Sequence, residues 1–383
     1  MESVVDISGG QAAASGRGTA GLRVAFVHDW LTGMRGGEKV LEVLCEIYPQ
    51  ADIFTLLHVP GSVSAGIESH RIRTSFIQRL PRAPRYYRHY LPLFPIAVET
   101  FALDGYDLVI SSSHCVAKSA IAPVGARHIC YCYTPMRYAW EQFEEYFGAA
   151  RVGRVKAAIY RPALAALARW DRATAGRPHA YIADSRHVAS RIRRYYNRAA
   201  TVVYPPVNTA FFHPDSTMPG DYALVVSALV PYKRIDRAIE ACRIAGLPLK
   251  IVGIGSEGDR LQRMAGSHVE FLGLRSDDEV RALYRGAAVV LMPGEEDFGI
   301  VPVEAQACGR PVVALARGGA LETVVDGVTG FLVQEESAGA LADGIRRAVK
   351  HPFDLHAIRE HALAFGRERF AAEISARIDA LMS

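Results

Sequence analysis

The feature that most constrains the fold is a repeated alternation of short apolar runs with amphipathic helical segments. It is clearest in residues 289–315, VVLMPGEEDFGIVPVEAQACGRPVVAL, which have the pattern strand, loop, short helix, strand. Gly309 stands where the residue after a helix C-terminus is expected. Continuous β-branched runs are typical of strands buried on both faces of a parallel sheet. The repetition of this unit predicts an α/β fold.

The alternation occurs twice, on either side of the Pro-rich segment PPVNTAFFHPDSTMPGD. A chain of 383 residues is too long for one ordinary core. We therefore predict two doubly wound, Rossmann-like domains that face each other across a cleft. The predicted boundaries are a disordered tail over 1–21, an N-terminal domain over 22–204, a linker over 205–220, a C-terminal domain over 221–352, and a C-terminal helix over 353–383 that crosses back to the N-terminal domain.

Composition narrows the classes of function. No apolar run reaches the roughly 20 residues of a membrane-spanning helix, and the small, polar first 21 residues do not resemble a signal peptide. The six cysteines are scattered, and Cys130 and Cys132 are too close for a zinc half-site, with no second half-site following, so we expect a reducing cytoplasm and no cysteine zinc site. The net charge of +4 is too small to indicate a nucleic-acid partner.

Two carboxylates frame the loop and helix of residues 293–308. Glu296 lies in the loop, and Glu304 follows eight positions later, on a helical face otherwise formed by Ile300, Val303 and Ala307. A buried glutamate needs partners. One interpretation is structural: Glu296 is a loop carboxylate near a helix N-terminus, and Glu304 is solvated or ion-paired. The other interpretation is that the two glutamates form a functional pair.

Cations and glycine-rich turns occur in the same pattern. Lys233 and Arg234 follow a strand by a short loop, and Gly253 begins the Gly-rich turn GIGSEG. Gly36 and Gly37 form the first strand-to-helix turn, where backbone N–H groups can meet a phosphate. Each feature alone also fits a surface lysine or a simple tight turn. Cations for a diphosphate combined with carboxylates for hydroxyls describe a nucleotide-sugar site.

Three further candidates follow predicted strands of the N-terminal half. His114 comes after the strand near 107–111, while Tyr133 ends the strand over 127–133 and Arg137 follows it. Functional side chains collect at the carboxyl ends of parallel strands. A structural histidine is an equally good interpretation of His114.

Residues 70–98 have the sequence HRIRTSFIQRLPRAPRYYRHYLPLFPIAV, which contains six arginines, two histidines and no acidic residue. Aromatic and aliphatic residues are interleaved with them. This composition suits an anionic membrane surface. The alternative is a solvated basic face or one that pairs with acids elsewhere in the fold.

The segment from Glu296 to Glu304, EDFGIVPVE, resembles the E-x7-E motif of retaining glycosyltransferase family 4, whose members have the GT-B fold. The stretches VHDWLTGMRGGEKVLE, CYCYTPMRYAW, YPPVN, ALVPYKRID and GRPVVALARGGALETVVDGVTGFLV resemble the branch that contains bacterial polysaccharide mannosyltransferases. The resemblance extends from Val24 to about Phe370.

The resemblance implies a role for each matching position. Glu296 would contact the hydroxyls of the transferred sugar, Glu304 the ribose, and Lys233 the diphosphate. The backbone N–H groups of the helix start and of the Gly36–Gly37 turn would assist; the helix-start residues are Phe298, Gly299, Ile300 and Val301. Family members retain the anomeric configuration and usually need no metal or other cofactor.

This chain departs from the family pattern at two positions. The arginine usual five residues before the lysine is Ala228, and Arg234 is a candidate for the missing charge. The usual histidine of the HTP motif is Tyr133, which can donate a hydrogen bond but cannot shuttle a proton near neutral pH. His114 gains importance as a result.

We therefore predict a retaining glycosyltransferase that moves a hexose to a lipid-linked or polysaccharide acceptor, with mannose from GDP-mannose as the expected donor. The expected location is the inner face of the membrane, reached peripherally through residues 70–98. A GT-B nucleotide-sugar epimerase and a non-catalytic nucleotide-binding partner protein are the two alternatives.

Overall fold

The computed structural model describes residues 21–141, 143 and 153–383, and it contains two parallel β-sheets. The first sheet consists of β1 (Val24–His28), β2 (Asp52–Thr55), β3 (Ile72–Thr74), β4 (Leu108–Ser113), β5 (Arg127–Cys132), β6 (Ala180–Ala183) and β7 (Ala200–Val202). The second consists of β8 (Ala223–Val226), β9 (Leu249–Val252), β10 (Val269–Gly273), β11 (Val289–Met292), β12 (Val312–Leu315) and β13 (Gly330–Val333).

The helices flank these sheets. Among the described residues, the α-helices of the N-terminal half are α1 (Gly36–Ile47), α2 (Ala65–Glu68), α3 (Ala83–Tyr86), α4 (Phe94–Glu99), α5 (Arg137–Trp140), α6 (Arg154–Ala173) and α7 (Arg186–Tyr196). Those of the C-terminal half are α8 (Ile235–Ala245), α9 (Gly258–Met264), α10 (Asp277–Gly286), α11 (Ile300–Ala307), α12 (Ala320–Thr323), α13 (Ala338–Lys350), α14 (Leu355–Leu363) and α15 (Arg367–Met382).

Both sheets have the same doubly wound topology. Their strand orders are β3-β2-β1-β4-β5-β6-β7 and β10-β9-β8-β11-β12-β13, and every pairing within them is parallel. The order reverses between β1 and β4 in one sheet and between β8 and β11 in the other. Crevices at such reversal points are the usual ligand sites of open α/β sheets. The predicted α/β fold of two doubly wound domains is confirmed.

The apolar runs form strands because both of their faces are covered. All five residues of β1 are buried. Phe26 packs with Val40 and Leu44 of α1 on one face, while Val27 packs with Tyr87 and Phe94 on the other. Burial of this kind contributes on the order of 2 kcal/mol per large side chain, so a run without polar positions is stable only in the middle of a covered sheet.

The predicted single helix over 353–383 is wrong in one respect, because the segment forms two helices, α14 and α15. The break lies at Gly366, which is extended and pairs with Val207 of the connecting segment. The Val207 N–H donates to the Phe365 carbonyl at 2.9 Å. Beyond the break, Phe370, Ile374 and other residues of α15 pack into the core of the N-terminal domain, so the chain does cross between the domains.

Residues 70–98 contribute more to the core than their sequence suggested. Ile77, Tyr87 and Phe94 are at most 4% exposed, because this segment supplies the edge strand β3 and then covers one face of the first sheet. Most arginines of this segment, including Arg79, Arg82, Arg85 and Arg88, are exposed to solvent. In the described part of the chain, no helix is both long and apolar enough to cross a bilayer. The predicted tail over 1–21 lies outside the described residues except for Gly21.

Candidate active site

The loop that carries Glu296 is held in place by close backbone contacts. The Glu296 carbonyl accepts a 2.8 Å hydrogen bond from the Gly319 N–H. Gly318 has a φ of +58°, and a Cβ at that position would lie 2.2 Å from the Glu296 carbonyl oxygen. The backbones of Gly318–Gly319 and of residues 296–298 approach too closely for a side chain at these glycines, which explains the GG pair of the sequence RGGALE. This contact fixes the backbone of Glu296 at the carboxyl end of β11.

Lys233 and Glu296 are in direct contact. The Lys233 Nζ and the Glu296 Oε1 form an ion pair in which each side chain is 18% exposed. Lys233 ends a short 3-10 turn after β8, and this turn lies against Gly294, where a Cβ would be 2.3 Å from the Tyr232 carbonyl oxygen. The reversal between β8 and β11 thus places the predicted cation and the predicted carboxylate together.

Glu304 is buried and is reached from both domains. It is 5% exposed on α11, and its Oε2 accepts a 3.0 Å hydrogen bond from the Tyr284 hydroxyl. Its Oε1 lies 2.9 Å from the Nζ of Lys39, which belongs to α1 of the N-terminal domain. Burial alone would lower the pKa of Lys39, but the Glu304 carboxylate outweighs it, and the net pKa is raised. Lys39 therefore remains protonated at neutral pH.

The N-termini of α1 and α11 face each other across the cleft. A Cβ on Gly36 would lie 3.1 Å from the Cδ1 of Ile300. The first N–H groups of a helix have no intrahelical partner and carry positive partial charge, so two such ends create a site for an anion. Gly299, with a φ of +90°, starts α11. The half-buried Val301 follows Ile300 in the first turn.

The side chain of Phe298 supports this helix start from behind. It is 3% exposed, and its ring packs against those of Tyr204 and Phe365 at centroid distances of 5.6 and 5.7 Å. Because the ring is in the core, only the backbone of Phe298 remains for the role predicted from the sequence.

His114 lies beside a buried aspartate at the carboxyl ends of β1 and β4. Asp29 is fully buried and accepts hydrogen bonds from four successive backbone N–H groups, those of residues 114–117, at 2.7–2.9 Å. The Nδ1 of His114 lies 3.3 Å from the Asp29 Oδ2. Burial outweighs the attraction of Asp29 and lowers the pKa of His114, so this imidazole is neutral at physiological pH.

Tyr133 belongs to a hydrogen-bond chain in the same crevice. Its hydroxyl lies 2.7 Å from the Ser112 Oγ and donates to the Gly37 carbonyl at 2.9 Å. The Ser112 Oγ in turn lies 2.9 Å from the Nδ1 of His28. Burial raises the pKa of Tyr133 well above its ordinary value, so the phenol remains protonated. The tyrosine therefore positions the Gly-rich turn and does not exchange protons.

Arg137 binds the residue next to Glu296. Its Nε donates to the Asp297 Oδ2 at 2.8 Å, and Arg191 of α7 donates to the Asp297 Oδ1 at 2.7 Å. Arg191 also donates to the Thr134 hydroxyl at 2.6 Å. Burial would raise the pKa of Asp297, but the two guanidiniums prevail and lower it. The N-terminal domain thus holds the Glu296 loop through two guanidiniums that bind the Asp297 carboxylate, and Arg137 is engaged there.

Two other predicted donor-binding residues have different surroundings from those expected. The Arg234 guanidinium contacts Glu336, and its Nε lies 3.4 Å from Asp236. Gly253 has a φ of +131°, and its N–H donates to the Gly273 carbonyl at 2.8 Å. A Cβ at Gly253 would lie 1.9 Å from the Ser227 carbonyl oxygen, so the glycine allows two loops to touch.

Sequence reasoning missed three residues that build the cleft. Lys39, Asp29 and Asp297 each contact a partner more than 80 positions away. Asp29 follows a strand directly and Asp297 is adjacent to Glu296, so both had a positional signal. The only sequence signal for Lys39 was its position just after the Gly-rich turn. Within residues 21–141, 143 and 153–383, no cluster of three His, Cys, Asp or Glu side chains is arranged to hold a metal ion.

Comparison with known proteins identifies a family domain in the C-terminal half of the chain. Residues 208–365 match the family model "Glycosyl transferases group 1". An uncharacterized glycosyltransferase of Methanocaldococcus jannaschii is 30% identical over 177 residues, which cover 44% of this chain and 49% of that protein. A D-inositol 3-phosphate glycosyltransferase of Mycolicibacterium smegmatis is 36% identical over 189 residues, 43% of each chain. The chain thus spans less than half the length of these relatives.

Solved structures share the architecture over almost the whole chain. HepE of Anabaena, in complex with UDP and glucose, superimposes with a TM-score of 0.70 at 18% identity, covering 94% of this chain and all of the other. A sucrose-phosphate synthase of Thermosynechococcus elongatus gives a TM-score of 0.68 at 20% identity, covering 94% and 99%. The chain has the GT-B fold.

Proposed function

From the glycosyltransferase group 1 domain of residues 208–365, we propose that this protein is a retaining glycosyltransferase that transfers a hexose from a nucleotide sugar to a lipid-linked or glycan acceptor. The observation that carries the proposal is the meeting of Lys233, Glu296 and the α11 N-terminus at one sheet reversal. Cation and helix end suit the leaving diphosphate, and the carboxylate suits sugar hydroxyls.

The proposed chemistry needs little from the protein beyond positioning and charge. The bond between the anomeric carbon and the diphosphate breaks, and the acceptor hydroxyl forms a new bond on the same face. The departing phosphate oxygen takes the hydroxyl proton. Lys233 and the N–H groups of α11 stabilise the charge that develops on this oxygen. Neutral His114 is available to hydrogen-bond a sugar hydroxyl from the N-terminal side.

GDP-mannose is the proposed donor, on the resemblance of the motifs to bacterial polysaccharide mannosyltransferases. HepE, which shares the fold, binds UDP-glucose, so the competing donor class is UDP-hexoses. Thermal-shift measurement with GDP-mannose, GDP, UDP-glucose and UDP separates the two classes. Stabilisation by GDP-mannose and GDP supports the proposed donor. Stabilisation by UDP-glucose and UDP alone would show that the donor is a UDP-hexose.

Two alternatives remain distinguishable by product analysis. An epimerase would convert the sugar of the donor without an acceptor, and a non-catalytic partner protein would bind the donor and leave it intact. The second alternative is favoured by the two departures at Ala228 and Tyr133. Chromatography of the donor after incubation with and without acceptor identifies which of the three behaviours the protein has.

Activity is expected to persist in EDTA. In the proposed chemistry Lys233 and the helix N-termini bear the charge of the departing diphosphate, so a divalent cation is not required. Transfer rates should be measured after dialysis against EDTA and again after adding Mg²⁺ or Mn²⁺. Complete loss on dialysis with recovery on adding metal would contradict this expectation.

The arginines of residues 70–98 are proposed to hold the protein at an anionic membrane. Arg79, Arg82, Arg85 and Arg88 are exposed, and none of them pairs with an acid among the described residues. Phe76 and Ile96 are also exposed and are apolar. Each arginine near an anionic surface contributes about 1 kcal/mol, and the attraction decreases with salt.

Co-sedimentation with liposomes tests this surface. The protein should sediment with vesicles rich in phosphatidylserine at low salt, less at high salt, and poorly with phosphatidylcholine alone. Replacing the four arginines by serine should abolish sedimentation and spare donor binding. The control is matched in net charge and in exposure: it removes four exposed arginines of the C-terminal domain, Arg243, Arg260, Arg263 and Arg346. Three of these pair with a nearby carboxylate, namely Arg243, Arg260 and Arg346. Equal sedimentation of the first variant and the parent would assign residues 70–98 to a solvated face.

A further inference from the structure

Lys39 and Lys233 make the same kind of contact on the two sides of the cleft. Lys233 contacts Glu296, and Lys39 lies 2.9 Å from Glu304. Each pair joins an ammonium, which suits phosphate oxygens, to a carboxylate, which suits hydroxyls. Side-chain exposure is 18% for both members of the first pair and 25% and 7% for the second. Charges this buried need a partner whenever no ligand is present.

We propose that Lys39 is the second cation of the donor site, supplied by the N-terminal domain across the cleft. The inference rests on the proposed function. On donor binding, both ion pairs exchange partners. The diphosphate takes the ammoniums of Lys39 and Lys233, while ribose hydroxyls replace Lys39 at Glu304 and sugar hydroxyls replace Lys233 at Glu296.

Lys39 is better placed for this role than Arg234. Arg234 adopts a left-handed backbone conformation with a φ of +52°, and its guanidinium is turned to Glu336 and Asp236. Lys39 lies in the first turn of α1, whose N-terminus contacts α11. The positive charge absent at Ala228 is thus present on the opposite wall of the same cleft.

The arrangement also links donor binding to closure of the cleft. Among the described residues, the side chains that hydrogen-bond Glu304 are Tyr284 of its own domain and Lys39 of the other. Separation of the domains leaves this buried carboxylate with one neutral donor. In the proposal, the ribose hydroxyls restore the hydrogen bonds of Glu304. The contact between Lys39 and the diphosphate then stabilises the closed cleft.

The test is calorimetric titration of the full chain with the nucleoside diphosphates GDP and UDP and with the nucleosides guanosine and uridine. Lys39→Met keeps the apolar stem and removes the charge. It is expected to weaken diphosphate binding by roughly 10- to 100-fold, the range for a lost charged hydrogen bond, without weakening nucleoside binding. Lys250→Met is the matched control, because Lys250 pairs at 3.9 Å with Glu270 in β10. It should bind both ligands like the parent.

Lys39→Arg guards against a folding defect, since it keeps a cation and should recover most of the diphosphate affinity. The proposal is overturned if Lys39→Met binds diphosphate like the parent. It is equally overturned if the variant loses nucleoside and diphosphate in the same proportion, since Lys39 would then only orient Glu304. A loss in Arg234→Met with none in Lys39→Met assigns the cation to Arg234. Failure of the parent itself to bind any of the four ligands overturns the proposed function, and the role of Lys39 with it.

Discussion

Glu296→Gln is expected to lower glycosyl transfer by roughly two to three orders of magnitude, the size of effect seen when one preorganised polar group is removed from a reacting centre. The amide keeps the shape of the side chain but removes the charge that orients sugar hydroxyls and pairs with Lys233. Binding of the nucleoside diphosphate should survive, because that ligand lacks the transferred hexose that Glu296 contacts. Initial rates and calorimetric affinities of the same preparation measure both quantities.

Glu295→Gln is the matched control for this prediction. Glu295 lies in the same loop, its side chain is 48% exposed, and it lies 3.3 Å from His187. Loss of its charge should leave transfer near the parental rate. Glu304→Gln should behave differently from Glu296→Gln and Glu295→Gln. It should weaken binding of the nucleoside diphosphate itself, because the ribose is common to donor and product. Parental turnover in Glu296→Gln would remove Glu296 from the proposed chemistry.

Lys233→Ala is expected to weaken binding of donor and nucleoside diphosphate alike, by roughly 10- to 100-fold, while leaving any binding of free sugar unchanged. The ammonium is the cation of the C-terminal domain that the structure places against Glu296. Its loss also leaves Glu296 without its ion-pair partner, so transfer should decrease further than affinity does.

Titration of the parent, Lys233→Ala and Lys233→Arg with nucleoside diphosphate checks this expectation. The arginine variant keeps a charge and should lie between the other two. Unchanged diphosphate affinity in Lys233→Ala would show that this lysine acts on Glu296 alone.

The fold was largely predictable because its determinants are local. Buried strands such as β1 and β11 are uninterrupted apolar runs, and turn glycines such as Gly309 mark the helix ends. The break at Gly366 was missed because it depends on pairing with Val207, about 160 positions away. The short edge strand β3 was missed because a basic and aromatic composition obscured its pattern.

The candidate site was predictable only on the side of the C-terminal domain. Lys233 and Glu296 follow strands that are neighbours in the sheet, so their meeting follows from topology. The contacts of Lys39 with Glu304 and of Arg137 with Asp297 join two domains, and no periodicity or spacing in one chain segment encodes how two domains close. Such contacts require the tertiary structure.

The most direct test of the account is mass spectrometry and NMR of acceptors after incubation of the protein with a membrane-lipid and glycan extract and a donor labelled with ¹³C in its hexose. GDP-mannose and UDP-glucose are supplied in separate reactions, and Glu296→Gln serves as the inactive control. The account predicts that the labelled hexose appears in an acceptor, together with an equal amount of nucleoside diphosphate, and that the new bond has the anomeric configuration of the donor. A donor recovered unchanged or only epimerised, with no labelled acceptor from either nucleotide sugar, would contradict it.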